Sequence, residues 1–224
     1  MRLIICAALC TLATCPAAFA LSLGIVTYGP QDSCSFAWSL AVAGDVNGDG
    51  YSDFLVGAPH YTNPDSSAGM VFLYGGETTP NLSAPLWSYA SPEEGAEVGW
   101  EQSSAGDFNG DGYSDIAIGA SGMYDDTGAV LIFLGRRGQA PASTPSLIIK
   151  GEQPGADFGA TLACAGDVNG DGFSDLLVGA ACFDQIAENI GKVYLYHGRG
   201  DLQNLDAPDW TTQGNVESGF YGMD

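Results

Sequence analysis

The chain has 224 residues, with 27 Asp plus Glu against 6 Lys plus Arg and a net charge of -21. This sign repels nucleic acid and anionic membrane, so neither is expected as a partner, and a cation is. At 46% hydrophobic and 11% aromatic it is too apolar for a disordered acidic tail, and its 32 glycines show no collagen period.

Residues 1–20 read as a signal peptide. Met1-Arg2 gives a short positive start, Leu3 to Thr14 an apolar core too short to span a bilayer, and Ala18-Phe19-Ala20 a small-residue cleavage site. No later stretch reaches transmembrane length, so no membrane insertion is expected, and the chain is expected to be secreted or at the cell surface. Residues 21–35 follow, with the strand-like Leu23 to Tyr28. Cys34, Cys164 and Cys182 remain after the signal, an odd count that leaves their pairing open. No Cys pair or Cys/His cluster has zinc spacing.

An internal repeat then governs the rest. Ala43-Gly44-Asp45-Val46-Asn47-Gly48-Asp49-Gly50-Tyr51-Ser52-Asp53 returns from Ala105 to Asp115 and again from Ala165 to Asp175. The first aspartates, Asp45, Asp107 and Asp167, lie 62 and 60 residues apart. Each block is followed by an apolar run ending in Gly-Ala: Phe54 to Ala58, Ile116 to Ala120, Leu176 to Ala180. A second apolar run comes next, Gly69 to Gly75, Gly128 to Gly135 and Gly191 to Gly198. A variable segment centred on Trp87, Leu147 and Trp210 completes each unit. These are short runs of Val, Ile, Leu and aromatics punctuated by Gly, Pro, Asn and Asp, which predicts four strands per unit. Four strands in about 60 residues predict an all-β array, a β-propeller of four-stranded blades. The boundaries fall at 36–97, 98–157 and 158–220, with 221–224 opening a fourth unit.

The block itself reads as a calcium loop. Calcium takes about six to eight oxygens at roughly 2.3–2.6 Å. Side chains one, three, five and nine of each block supply them: Asp45, Asn47, Asp49 and Asp53; Asp107, Asn109, Asp111 and Asp115; Asp167, Asn169, Asp171 and Asp175. The seventh residues, Tyr51, Tyr113 and Phe173, carry no acid and are assigned their backbone carbonyls. An EF-hand or dockerin would need an acid three places further on, where Val56, Ile118 and Val178 stand. Three Ca2+ ions are expected, one per repeat, with a structural role. They would bring the -22 of the chain without its signal to -16.

Phe158-Gly159 followed by Gly179-Ala180, and Phe36 followed by Gly57-Ala58-Pro59, resemble FG-GAP repeats, the blades of the integrin α-subunit head. The Asp-x-Asn-Gly-Asp-Gly-x-x-Asp block is similar to that family's calcium loop. Ala37 and Val98 break two Phe-Gly pairs, and Ser121 and Ala181 replace two prolines. The resemblance implies a seven-bladed ring, which at this repeat length needs roughly 430 residues. It also implies that Leu23 to Tyr28 forms the outer strand of the last blade. Further blades in cis, or self-association of open blade flanks, are therefore expected.

Catalytic constellations are scarce. His60 and His197 have no spaced partner, and no Ser-His-Asp set or phosphate loop stands out. Trp38, Trp87, Trp100, Trp210, Tyr61 and Tyr89 are expected to pack between blades more often than to form a contact face. Asn81-Leu82-Ser83 is a glycosylation sequon in a eukaryotic source. Three readings stay open. The first is an extracellular recognition or adhesion module for a protein or carbohydrate. The second is the non-catalytic propeller portion of a secreted enzyme, similar to a phospholipase that cleaves lipid-anchored proteins or to a polysaccharide-degrading protein. The third is a plain exported scaffold.

Overall fold

The computed structural model describes residues 27, 29–62, 68–78, 84–185, 188–205, 207–216, 219 and 221–223. The signal segment, most of the strand predicted at Leu23 to Tyr28 and the sequon at Asn81 lie outside them. Twelve strands form three antiparallel four-stranded sheets, each in simple meander order. The first holds β1 (Leu40–Gly44), β2 (Asp53–Ala58), β3 (Met70–Tyr74) and β4 (Trp87–Tyr89). The second holds β5 (Gln102–Gly106), β6 (Asp115–Ala120), β7 (Ala129–Phe133) and β8 (Leu147–Lys150). The third holds β9 (Phe158–Gly166), β10 (Asp175–Ala180), β11 (Lys192–Tyr196) and β12 (Trp210–Gln213). The fold is all-β, and each sheet is one propeller blade. A helical turn at Met123–Asp126 and a 3-10 turn at Leu202–Asn204 are the helical pieces among the described residues.

The middle strands are apolar on both sides because blades stack face to face. Leu55, Val71, Leu73, Trp87 and Tyr89 of the first blade bury against Ile116, Ile118, Leu131 and Phe133 of the second. Ala117, Val130, Ile132 and Ile149 of the second bury against Leu162, Leu176, Val178, Tyr194 and Tyr196 of the third. Alternate residues of β6 thus serve two different cores, as the two-residue period of a strand requires.

The recurring glycines join one blade to the next. Gly99 and Gly159 have φ of +91° and +88°, and a Cβ on either would stand 2.6 Å from a carbonyl of the preceding blade's third strand. Their own carbonyls face Gly57 and Gly119, where a Cβ would come within 2.2 and 2.0 Å. Each Phe-Gly or Val-Gly glycine therefore meets the Gly-Ala glycine of the blade before, and neither has room for a side chain. Gly222 repeats the contact with Gly179, where a Cβ would lie 2.1 Å from the Gly222 carbonyl. Parallel bridges run beside these contacts, Gly69 with Val98, Gly128 with Phe158 and Gly191 with Tyr221. The two breaks in the pattern are accommodated. Ala37 takes the left-handed backbone at φ +63°, and Val98 is fully buried in the Phe position.

Candidate metal centre

Each acidic block forms the turn between the first two strands of its blade, and its ninth residue opens the second strand. That ninth aspartate is buried in all three blades, Asp53 at 1% and Asp115 and Asp175 at 0% exposure. Its Oδ2 accepts the N–H of the block's second residue, Val46 at 3.0 Å, Phe108 at 3.0 Å and Val168 at 2.8 Å. Its Oδ1 accepts an N–H from the exit of the third strand, Gly76 at 2.9 Å, Gly135 at 2.9 Å and Gly198 at 3.1 Å. One carboxylate thus ties loop, second strand and third strand together.

The rest of the loop wraps on its own side chains. The first aspartate accepts N–H groups from the fifth and sixth residues: from Asp49 and Gly50 at Asp45, from Asp111 and Gly112 at Asp107, and from Asp171 and Gly172 at Asp167, which also accepts the N–H of Gly170 at 2.7 Å. Oδ1 of Asn47, Asn109 and Asn169 accepts the same N–H of the fifth residue, at 2.8 to 3.0 Å. Oδ1 of Asp49, Asp111 and Asp171 accepts the N–H of Tyr51, Tyr113 and Phe173. The asparagine amides donate to the second oxygen of those aspartates. These turns bring the first, third and fifth side chains onto one side of each loop, with the ninth carboxylate at its base. Among the described residues, no three His, Cys, Asp or Glu side chains close on a common point as a ready cluster.

Charge is the cost of this arrangement. Burial pushes the Asp53 carboxyl up, the N–H groups of Gly76 and Val46 oppose it, and Asp49 and Asp45 add to it. Burial likewise pushes Asp115 up to about 7, against the N–H groups of Gly135 and Phe108, with Asp111 adding repulsion. In the third loop the N–H of Phe173 and the Asn169 amide lower Asp171, and His197 and Arg199 lower it further. His197 replaces Gly75 and Leu134 of the other blades, a difference that no repeat pattern announces. Its Nδ1 lies 3.2 Å from Asp175 Oδ1, inside ion-pair range, yet off the line of a hydrogen bond and without another partner.

The donor set is chemically suited to a hard divalent cation. Every ligand candidate is an oxygen, and an oxygen that accepts one N–H keeps a lone pair for a cation. Nitrogen and sulfur ligands, which favour zinc or copper, are missing from the loop positions. A cation at these sites would oppose the burial, and the lesser carboxylate repulsion, that raise Asp53 and Asp115.

Other expected residues distribute plainly. Trp87 and Tyr89 pack between blades against Phe133, both with ring centroids 4.8 Å from it. Trp38 and Trp210 are half exposed. Trp38, Trp100 and His60 form a mutual edge-on group at the end of the blades away from the loops. Cys34 is buried, Cys164 exposed and Cys182 between them, and all three are free thiols. Among the described residues, no helix is long and apolar enough to cross a membrane.

Comparison with known proteins agrees with this geometry. The chain is similar to integrin alpha-PS2 of Drosophila melanogaster, 39% identical over 178 residues, which is 70% of this chain and 12% of that protein. It is similar to integrin alpha-IIb of Mus musculus, 37% identical over 169 residues, 71% of this chain and 16% of that one. It is also similar to phosphatidylinositol-glycan-specific phospholipase D of Bos taurus, 31% identical over 201 residues, 83% of this chain and 24% of that one. The chain thus spans 12% to 24% of the length of these relatives. The family pattern of the FG-GAP repeat matches residues 36–74, 99–133 and 158–196, the first three strands of each blade. The chain belongs to the FG-GAP repeat family.

Proposed function

We propose that this chain is a calcium-stabilised propeller segment that acts outside the cell as a recognition or adhesion module for a protein or carbohydrate. The observation that carries the calcium reading is the triple recurrence of one oxygen-only donor set, with a shared set of hydrogen bonds in every copy. In each loop the ligands would be the side chains at places one, three, five and nine and the carbonyl at place seven. In the first they are Asp45, Asn47, Asp49, Tyr51 and Asp53, and the other two loops follow in register. A bound cation supplies positive charge to the three carboxylates of each loop, and the ninth aspartate transmits that hold to two strands. The segment 1–20 supports export, and the integrin relatives support recognition. Residues 221–224 open a fourth repeat in this reading, and the ring closes with further blades, seven in the integrin-like case.

A second reading is favoured by the wider cover of the phospholipase D relative, 83% of this chain. In it the segment is the non-catalytic propeller part of a secreted enzyme. Under both readings the residues described here bind and hold rather than react.

Calcium titration followed by thermal melting tests the metal. Adding calcium should raise the melting temperature in a saturable way, and chelator should reverse it. Triple replacement of Asp49, Asp111 and Asp171 by Asn should remove the calcium-dependent part. An unaltered melting temperature in the presence of chelator and of excess calcium would sink the reading.

A further inference from the structure

The rings of Tyr113 and Phe173, at the seventh place of their loops, each touch a different loop. A Cβ on Gly48 would stand 2.4 Å from Tyr113 Cε1, and one on Gly110 would stand 2.4 Å from Phe173 Cε1. Each ring therefore rests on the glycine between the third and fifth ligands of the preceding blade's loop. Two backbone hydrogen bonds recur along both seams, and in the first Gly138 N–H adds a third to the Asn47 carbonyl at 2.6 Å. Ser114 N–H donates to the Asp45 carbonyl at 3.0 Å, and Arg136 N–H to the Val46 carbonyl at 2.9 Å. Ser174 and Arg199 do the same for Asp107 and Phe108, at 2.9 and 2.8 Å. Among the described residues no ring rests on the third loop: nothing lies within 4 Å of a Cβ on Gly170, and Val168 is 54% exposed where Val46 and Phe108 are at 0%.

We infer that Tyr113 and Phe173 are positioning residues for the metal loops of the blades before them. The inference rests on the calcium reading above. Gly48 and Gly110 sit in left-handed backbone, φ +70° and +77°, and set the direction in which the flanking Asn and Asp present their oxygens. A ring packed on that glycine holds the ligands in place before the cation arrives, so less order is lost on binding. Within residues 1–224, loops one and two are braced by the next blade, and loop three is braced by its own blade alone.

The amides of Gly50, Gly112 and Gly172 report the loops separately, because each donates to its loop's first aspartate at 2.9 Å. Their nuclear magnetic resonance shifts are followed in the full chain while calcium is added. Gly50 and Gly112 should respond at lower calcium than Gly172. Phe173→Ala should raise the calcium needed at Gly112 by about tenfold or more, the usual effect of losing an outer-shell support. It should leave Gly50 in place, and Phe173→Tyr should restore Gly112. Should Phe173→Ala not fold, Gly110→Ala and Gly170→Ala form a matched pair. Their φ values are +77° and +78°, and only the first meets a ring, so only the first should weaken its own loop. If Gly112 titrates alike with and without the Phe173 ring, or if the two glycine variants weaken their loops equally, positioning is overturned and calcium binding stands. If no glycine amide responds in the unaltered chain, the calcium reading falls and takes positioning with it.

Discussion

At the scale of single residues, environment separates groups that the sequence presents as equals. The three thiols are one example. Cys34 is buried in the position that Ala96 and Ala156 occupy in the other repeats, where it acts as a small apolar side chain. Burial first, and then Asp157, pushes the Cys182 thiol up to about 11. The thiolate is the reactive form, and a rise of about two units lowers its fraction roughly a hundredfold near pH 8. Cys164 stands exposed on β9. Alkylation at pH 8 should therefore label Cys164 well before Cys182 and leave Cys34 to unfolding. Raising the pH toward 11 should speed Cys182, since a raised pKa delays ionisation. Peptide mass mapping over time reads all three, and simultaneous labelling of Cys164 and Cys182 would contradict these environments. Spacing alone showed an odd number of cysteines, and nothing in it distinguished their surroundings.

At the scale of elements, the repeat was readable because strands, turns and loop recur at nearly constant spacing. Compensation between elements was not. Val98 looks like a weakened Phe-Gly pair beside Phe158. The packing explains it by the outer strand of the blade before. Where the next repeat opens with Val98, β4 supplies Trp87 and Tyr89 to the shared core. Where it opens with Phe158, β8 supplies Leu147 and Ile149 at the equivalent places. Bulk has moved from one strand to the other, a trade between residues far apart in the chain and invisible to a motif. Restoring the family residue should therefore harm the protein. Val98→Phe is expected to cost about 1–3 kcal/mol through overpacking of a fully buried site. Adding Tyr89→Ile should recover much of that loss, because both residues belong to one core cluster. Denaturant unfolding of the two single variants and the double variant measures the coupling. Additive losses would show that the two positions pack independently.

At the scale of the molecule, two inter-blade interfaces define what a blade face needs, and one face lacks it. Leu177, Val193 and Leu195 are the third blade's counterparts of Leu55, Val71 and Leu73, and of Ala117, Val130 and Ile132. The six counterparts are all at 0% exposure, whereas the three in the third blade are only partly buried. A shallow cavity of about 120 Å³ lies on this face, lined by Thr161, Leu177, Gly179, Val193 and Gly222 among others. Such a face is an interaction surface in a propeller array, since blades gain stability by covering one another. The net charge of -21 opposes association at long range, so screening by salt or calcium should favour it. As a separate 224-residue molecule the chain is expected to self-associate at high protein and salt concentration. Leu177→Lys should reduce that association while leaving the unfolding midpoint nearly unchanged, because the site is partly open. Leu55→Lys, at the buried equivalent, should unfold the first blade instead. Sedimentation velocity across protein concentration, paired with melting curves, separates these outcomes. A chain that stays monomeric in high salt with Leu177 intact would show that this face is satisfied by water alone.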